Sequence, residues 1–258
     1  DNGAMTPLPI DQAIPDLLSA IRAEGRAVLM APPGAGKTTR VPLALLDEVA
    51  GKIVMLEPRR LAARAAAERM AETLGEEVGN TVGYRIRGEA KVGKHTRIEV
   101  VTEGILTRML QSDPGLGGIG ALIFDEFHER SLNADLGLAL AWEARGALRE
   151  DLVLIVMSAT LDAEPVAALL DDAPIVRSEG RAFPVETRWL DAPMRKETRL
   201  ETSVAALVER AVSETAGGVL VFLPGEGEIR RVAAALSLPG EFRVHMLFGA
   251  MEMKAQRA

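Results

Sequence analysis

Four apolar residues, Ala27–Met30, run directly into Ala31-Pro32-Pro33-Gly34-Ala35-Gly36-Lys37-Thr38, and a helix-forming pattern follows from about Lys37 to Val49. That order of buried strand, glycine loop and helix constrains the chain more than any bulk property. A polyphosphate needs backbone N–H groups converging on its oxygens, which requires small residues with unusual dihedrals; Gly34 and Gly36 supply these. The helix N-terminus adds its positive end, Lys37 is placed to reach β- and γ-phosphates, and the Thr38 hydroxyl to ligate Mg²⁺.

The same alternation continues downstream. It predicts strands at Ile53–Leu56, Arg97–Val101, Leu122–Phe124 and Leu152–Met157. Helices are expected at Leu61–Leu74 (ended by Gly75), Glu103–Leu110, Ser131–Trp142 and Glu164–Leu170, with Ser131 or Asn133 available as a cap. Strands that are apolar throughout and separated by helices imply an α/β fold with a parallel sheet covered on both faces. Asp1–Ala4, ahead of Met5, reads as an expression scar. A first domain then spans 5–179, Gly180–Pro184 is a plausible linker, and a second βα series occupies 180–258. Its expected strands are Val185–Trp189, Val219–Leu223 and Arg243–Leu247, with helices near Leu200–Glu214 and Glu228–Leu236. Parallel α/β domains usually start near 100 residues, so this series reads as incomplete or truncated.

Composition narrows the chemistry. The 258 residues include no cysteine, which excludes disulfides, cysteine–zinc sites and thiol catalysis and fits a reducing, cytoplasmic compartment. No apolar run reaches the length of a membrane span. A net charge of −7 argues against coating duplex nucleic acid by bulk charge, and 3% aromatics against a base-stacking platform. The charge is uneven, however: residues 52–110 carry eleven basic and eight acidic side chains, the one positive stretch.

Leu122-Ile123-Phe124-Asp125-Glu126-Phe127-His128-Glu129-Arg130 puts two carboxylates at the C-terminal end of a buried strand, where open parallel sheets bind ligands. Asp125 would hold Mg²⁺ through water, and Glu126 would orient or deprotonate an attacking water. His128, taken alone, is by default a structural histidine; it could also donate to a strand-end hydroxyl and report nucleotide state. Ser158-Ala159-Thr160, closing the next strand, could offer such hydroxyls at Ser158 and Thr160.

Together these motifs resemble the DEAH-box helicases of superfamily 2. The stretches carrying the resemblance are Ala31–Thr39, Glu57–Arg64, Gly83–Glu89, Thr102–Arg108, Asp125–Arg130, Met157–Asp162 and Val221–Gly225, in the family's order. The resemblance implies RecA-like P-loop NTPase domains, with ATP or another NTP and Mg²⁺ as cofactors and single-stranded RNA held by its backbone as partner. It adds Pro33, Ala35 and Thr39 to the nucleotide set and assigns Arg69 to stacking on the base. It assigns Arg59, Arg60, Thr102, Gly104 and Arg108 to the nucleic-acid backbone, which gives the positive stretch a reason. Without it, Arg64 and Arg69 read as solvated faces of an alanine-rich helix.

Two departures stand out. Phe127 replaces the family's alanine in the acidic motif, and Pro33 stands where Thr or Ser is common. The family's later arginine-finger pattern has no match before Ala258, so the expectation is a chain that binds nucleotide but hydrolyses it feebly alone. The leading function is the motor part of an ATP-dependent RNA helicase. The alternative is a nucleotide-dependent clamp on RNA or protein that does not translocate, and a P-loop metabolic kinase is a distant third.

Overall fold

The computed structural model describes residues 7–159, 163–179, 184–194, 198–248 and 251. The chain divides into two compact units, Asp1–Phe183 and Pro184–Ala258.

The first unit is built on eight strands: β1 (Arg26–Met30), β2 (Lys52–Leu56), β3 (Val82–Ile86), β4 (Glu89–Lys91), β5 (Ile98–Val101), β6 (Ile119–Phe124), β7 (Val153–Ser158) and β8 (Ile175–Arg177). They lie in the order β4-β3-β5-β2-β6-β7-β1-β8. Every pair is parallel except the β3–β4 hairpin. Six helices cover the sheet: α1 (Ile14–Glu24), α2 (Lys37–Ala44), α3 (Arg60–Thr73), α4 (Glu103–Ser112), α5 (Leu132–Ala147) and α6 (Ala163–Leu169).

Strand periodicity explains why the strands read as continuous apolar runs. Alternate side chains of β1 enter opposite cores. Ala27 and Leu29 pack with buried residues of α1, α2 and α3, whereas Val28 and Met30 pack with those of α4, α5 and α6. Alanines on the inner face of α3 (Ala63, Ala66, Ala67, Ala71) are buried against the sheet at little cost in side-chain entropy. Ser131 caps α5 by accepting the Ala134 N–H at 3.0 Å. The helix expected to reach Val49 stops at Ala44, where the bonds tighten to three-residue turns, Leu45 N–H to the Pro42 carbonyl and Leu46 N–H to that of Leu43.

Some elements carry no clear signal in the sequence. In β3, Gly83 sits so close to β4 that an added Cβ would meet the Lys91 carbonyl oxygen at 2.3 Å, so the hairpin requires glycine where a strand pattern expects a side chain. Arg64 is not a solvated residue of α3. It is buried, ion-paired with Glu89 and stacked 5.8 Å from the Tyr84 ring, which ties the hairpin to the helix.

The second unit corrects three strand expectations. It contains α7 (Leu200–Glu214) and α8 (Glu226–Ala235), but no strand among its described residues. Val185–Trp189, Val219–Leu223 and Arg243–Leu247 form no ladder. Trp189 and Phe222 are 85% and 87% exposed. Without a paired neighbour, extended backbone gains no ladder hydrogen bonds over those it makes to water. The apolar pattern still has an outlet. Val219–Leu223 and Phe242–Leu247 gather with side chains of α7 and α8 around a cavity of about 350 Å³.

Candidate active site

The candidate residues collect at the C-terminal edge of the parallel sheet. Across the inner strands this edge carries Thr102 after β5, Glu57–Arg60 after β2, Asp125–Arg130 after β6, Ser158 ending β7 and the glycine loop after β1. Parallel strands deliver all these loops to one side, so residues scattered from 33 to 158 share one edge.

In the loop, Gly34 and Gly36 adopt φ of +77° and +94°, which side-chain-bearing residues rarely reach. A Cβ on Gly36 would also press on Leu8, approaching its Cδ1 to 2.5 Å and its Cβ to 3.2 Å. Ile10 N–H donates to the Ala35 carbonyl at 3.1 Å, so the N-terminal segment braces the loop from outside. Pro33 and Gly34 are exposed, Ala35 and Lys37 buried, and the Thr39 hydroxyl donates to the Gly36 carbonyl at 3.3 Å.

The acidic motif meets this loop directly. Thr38 Oγ1 donates to Asp125 Oδ2 at 2.6 Å, which joins the two oxygens assigned to Mg²⁺. Lys37 Nζ lies 3.4 Å from Glu126 Oε1. Burial pushes the Asp125 carboxyl upward from its ordinary value, opposed by the Thr38 hydrogen bond and the Lys37 charge. Glu126 takes a left-handed φ of 53° ahead of a short 3-10 turn, Phe127–Glu129. Such backbone is unfavourable for a non-glycine residue and persists only where surrounding contacts hold it. Phe127 supplies one: its buried ring meets Phe124 edge-on, with centroids 6.3 Å apart. The departure at this position is therefore core packing behind the turn.

His128 is placed differently from expectation. Its Nδ1 accepts the Ala159 backbone N–H at 3.2 Å, so it does not donate to a hydroxyl through that atom. A neutral ring accepting at Nδ1 carries its proton on Nε2, which lies 3.2 Å from Glu126 Oε2. Ser158 is buried beside Met30, its partner in the β1–β7 register, and Thr160 lies outside the described residues.

Glu57 plays a part that no sequence pattern announced. It is 3% exposed at the end of β2, hydrogen-bonded to Asp125, with its carboxyl pushed up to about 9 by burial and then by the Asp125 charge. A carboxyl raised in the folded state binds its proton there at pH values where the unfolded chain has released it, so folding stability falls as pH rises from about 4.5 to 9. Glu57→Gln removes that cost and keeps a donor for Asp125. The variant should be more stable than wild type at pH 7, by a margin that grows with pH. Denaturant melts in chelator from pH 5 to 9 check this: the gap should widen with pH, and parallel curves would contradict it.

The nucleic-acid candidates lie on the other side of β6. Arg59, the N-cap of α3, and Arg60 are exposed; Thr102 is the buried N-cap of α4. Gly104 and Arg108 are exposed four residues apart on α4, and so share one helix face. Arg69 is exposed on α3.

Residues 10–169 match the DEAD/DEAH box helicase family. The chain belongs to that family. Within it, the chain is 49% identical over 257 residues to the ATP-dependent RNA helicase HrpB of Escherichia coli, covering 98% of this chain and 32% of that protein. It is 36% identical over 232 residues to an ATP-dependent RNA helicase HrpA homolog of Haemophilus influenzae, covering 89% and 18%. Among solved structures, the crystal structure of the Escherichia coli DEAH/RHA helicase HrpB matches with a TM-score of 0.91 at 49% identity, over 97% of this chain and 32% of that one. This DEAD/DEAH box helicase chain thus spans about one third of the HrpB length and less of HrpA. The family match covers seven of the eight strands described above, β1 to β7 of a mostly parallel RecA-like fold.

Proposed function

We propose that this chain is the nucleotide-hydrolysing part of a longer ATP-dependent RNA helicase, with 5–179 as its first RecA-like domain and 180–258 as the start of a second. The observation that carries the proposal is the convergence of Lys37, Thr38, Asp125, Glu126 and His128 at one sheet edge, one strand from Arg59 and Arg60.

The chemistry follows from the donor set. The loop N–H groups of Gly34, Gly36, Lys37 and Thr38, together with the Lys37 ammonium, bind the phosphates of ATP, while those of Ala35 and Thr39 hold the loop's own carbonyls. Thr38 and Asp125 are hard oxygen donors that fit Mg²⁺, which when bound neutralises charge on the β- and γ-phosphates. Glu126 orients a water and accepts its proton as the water oxygen bonds to the γ-phosphorus. The bond from that phosphorus to the bridging oxygen then breaks, leaving ADP and phosphate. His128 holds Glu126 in place through Nε2 and is itself fixed by the Ala159 N–H. Arg69 stacks on the base. Arg59, Arg60, Thr102, Gly104 and Arg108 hold the phosphates of single-stranded RNA, contacts that position a strand without reading its bases. Among the described residues no helix is long and apolar enough to cross a membrane. The absence of cysteine is consistent with a cytoplasmic protein.

Phosphate release by the full-length protein, with and without single-stranded RNA, tests this proposal. RNA should raise the rate several-fold, and a rate indifferent to RNA would contradict it.

A further inference from the structure

The sheet order puts β2 and β6 side by side, so the loop carrying Arg59 and the turn carrying Glu129 are neighbours. Arg59 Nη2 lies 2.5 Å from Glu129 Oε1. We propose that this ion pair is an exchange contact: nucleic-acid phosphate and Glu129 compete for Arg59, so binding of a strand releases a carboxylate beside the hydrolytic glutamate. The proposal rests on reading Arg59 as a phosphate contact and goes beyond it by naming what the phosphate displaces.

The exposure of the pair and simple electrostatics support exchange. The Arg59 side chain is 72% accessible and that of Glu129 32%, so a strand can reach the pair without unfolding anything. Exposed ion pairs contribute little free energy, so a phosphate that offers Arg59 a forked, doubly hydrogen-bonded contact can replace the carboxylate. Sharing is disfavoured because the phosphate would then lie within a few ångströms of the Glu129 charge. Arg130, close to Glu129 in the chain, is paired with Asp135 at 3.1 and 3.2 Å.

The released group lies where hydrolysis is organised. Ligand atoms of Glu126, His128 and Glu129 all fall within 4.8 Å of one another, on the turn that sets the Glu126 backbone. Breaking the Arg59 contact therefore alters the charge next to Glu126 and His128. By linkage, whatever the turn gains or loses when RNA binds is returned as a change in RNA affinity.

A double-mutant cycle in the full-length protein tests the exchange. Affinity for a labelled single-stranded oligouridylate is measured at fixed ionic strength for wild type, Glu129→Gln, Arg59→Ala and the double variant, alongside RNA-stimulated ATP turnover. Glu129→Gln should tighten RNA binding about threefold in the presence of Arg59 and have little effect in Arg59→Ala, as expected for an exposed pair. The RNA concentration giving half-maximal stimulation should fall by the same factor. An equal effect of Glu129→Gln in both backgrounds would mean a general charge effect and overturn the exchange alone. Unchanged affinity in Arg59→Ala would remove Arg59 from the RNA contact and the exchange with it. Wild-type hydrolysis indifferent to RNA would instead overturn the helicase proposal.

Discussion

Glu126→Gln in the full-length protein should bind ATP normally and fail to turn it over, with kcat reduced at least about 100-fold, the usual contribution of a positioned general base. The amide keeps the shape of the side chain but cannot take a proton from water. Binding should be equal or tighter, because Glu126 sits 3.4 Å from the Lys37 ammonium that the phosphates need, and the amide competes for it less well. Titration with a fluorescent nucleotide and a phosphate-release assay separate the two effects. Normal hydrolysis by Glu126→Gln would remove this carboxylate from the role given to it.

Lys37→Ala should have the opposite signature, with nucleotide affinity falling by about 10- to 100-fold, the range expected when charge-assisted hydrogen bonds to phosphate are lost. Lys37 is buried at 3% exposure beside Asp125 and Glu126, so its loss also leaves these two acids without that ammonium. The folded chain should survive as judged by circular dichroism, because the two cores of the first unit lie in the sheet rather than at its edge. Unchanged affinity in a folded Lys37→Ala protein would contradict the assignment of the glycine loop to phosphate.

The parts of the site legible in the sequence are those where the chemistry is contiguous. The glycine loop and the Asp-Glu pair each sit in a few consecutive residues directly after an apolar run, so local spacing alone placed them on strand ends. Strands β1, β2, β5, β6 and β7 were legible for a related reason: buried on both faces, they are nearly unbroken apolar runs. By contrast, β3 carries Gly83 and Arg85, and β8 has three residues; neither shows a periodicity that separates strand from loop. In the second unit the apolar runs were real but their pairing was not, since pairing depends on neighbours that a run does not specify.

Relations between strands were the least visible. Glu57 looks like an ordinary acid before a proline until β6 sets Asp125 beside it. The Arg59–Glu129 contact spans 70 residues and exists because β2 and β6 are adjacent. His128 meets a backbone N–H, that of Ala159, which no side-chain pattern records. The net charge of −7 likewise says nothing of where charge gathers: Arg59 and Arg60 lie together at one edge.

The central claim, that hydrolysis at Glu126 drives movement along RNA, is tested most directly by strand displacement. The full-length protein is given a partial RNA duplex with a single-stranded tail, and release of the labelled strand is followed with ATP and Mg²⁺. Wild type should release the strand with ATP but not with a non-hydrolysable analogue, and Glu126→Gln should bind the duplex without releasing it. Strand release by Glu126→Gln at the wild-type rate, or none by a wild-type protein that hydrolyses ATP, would contradict the account.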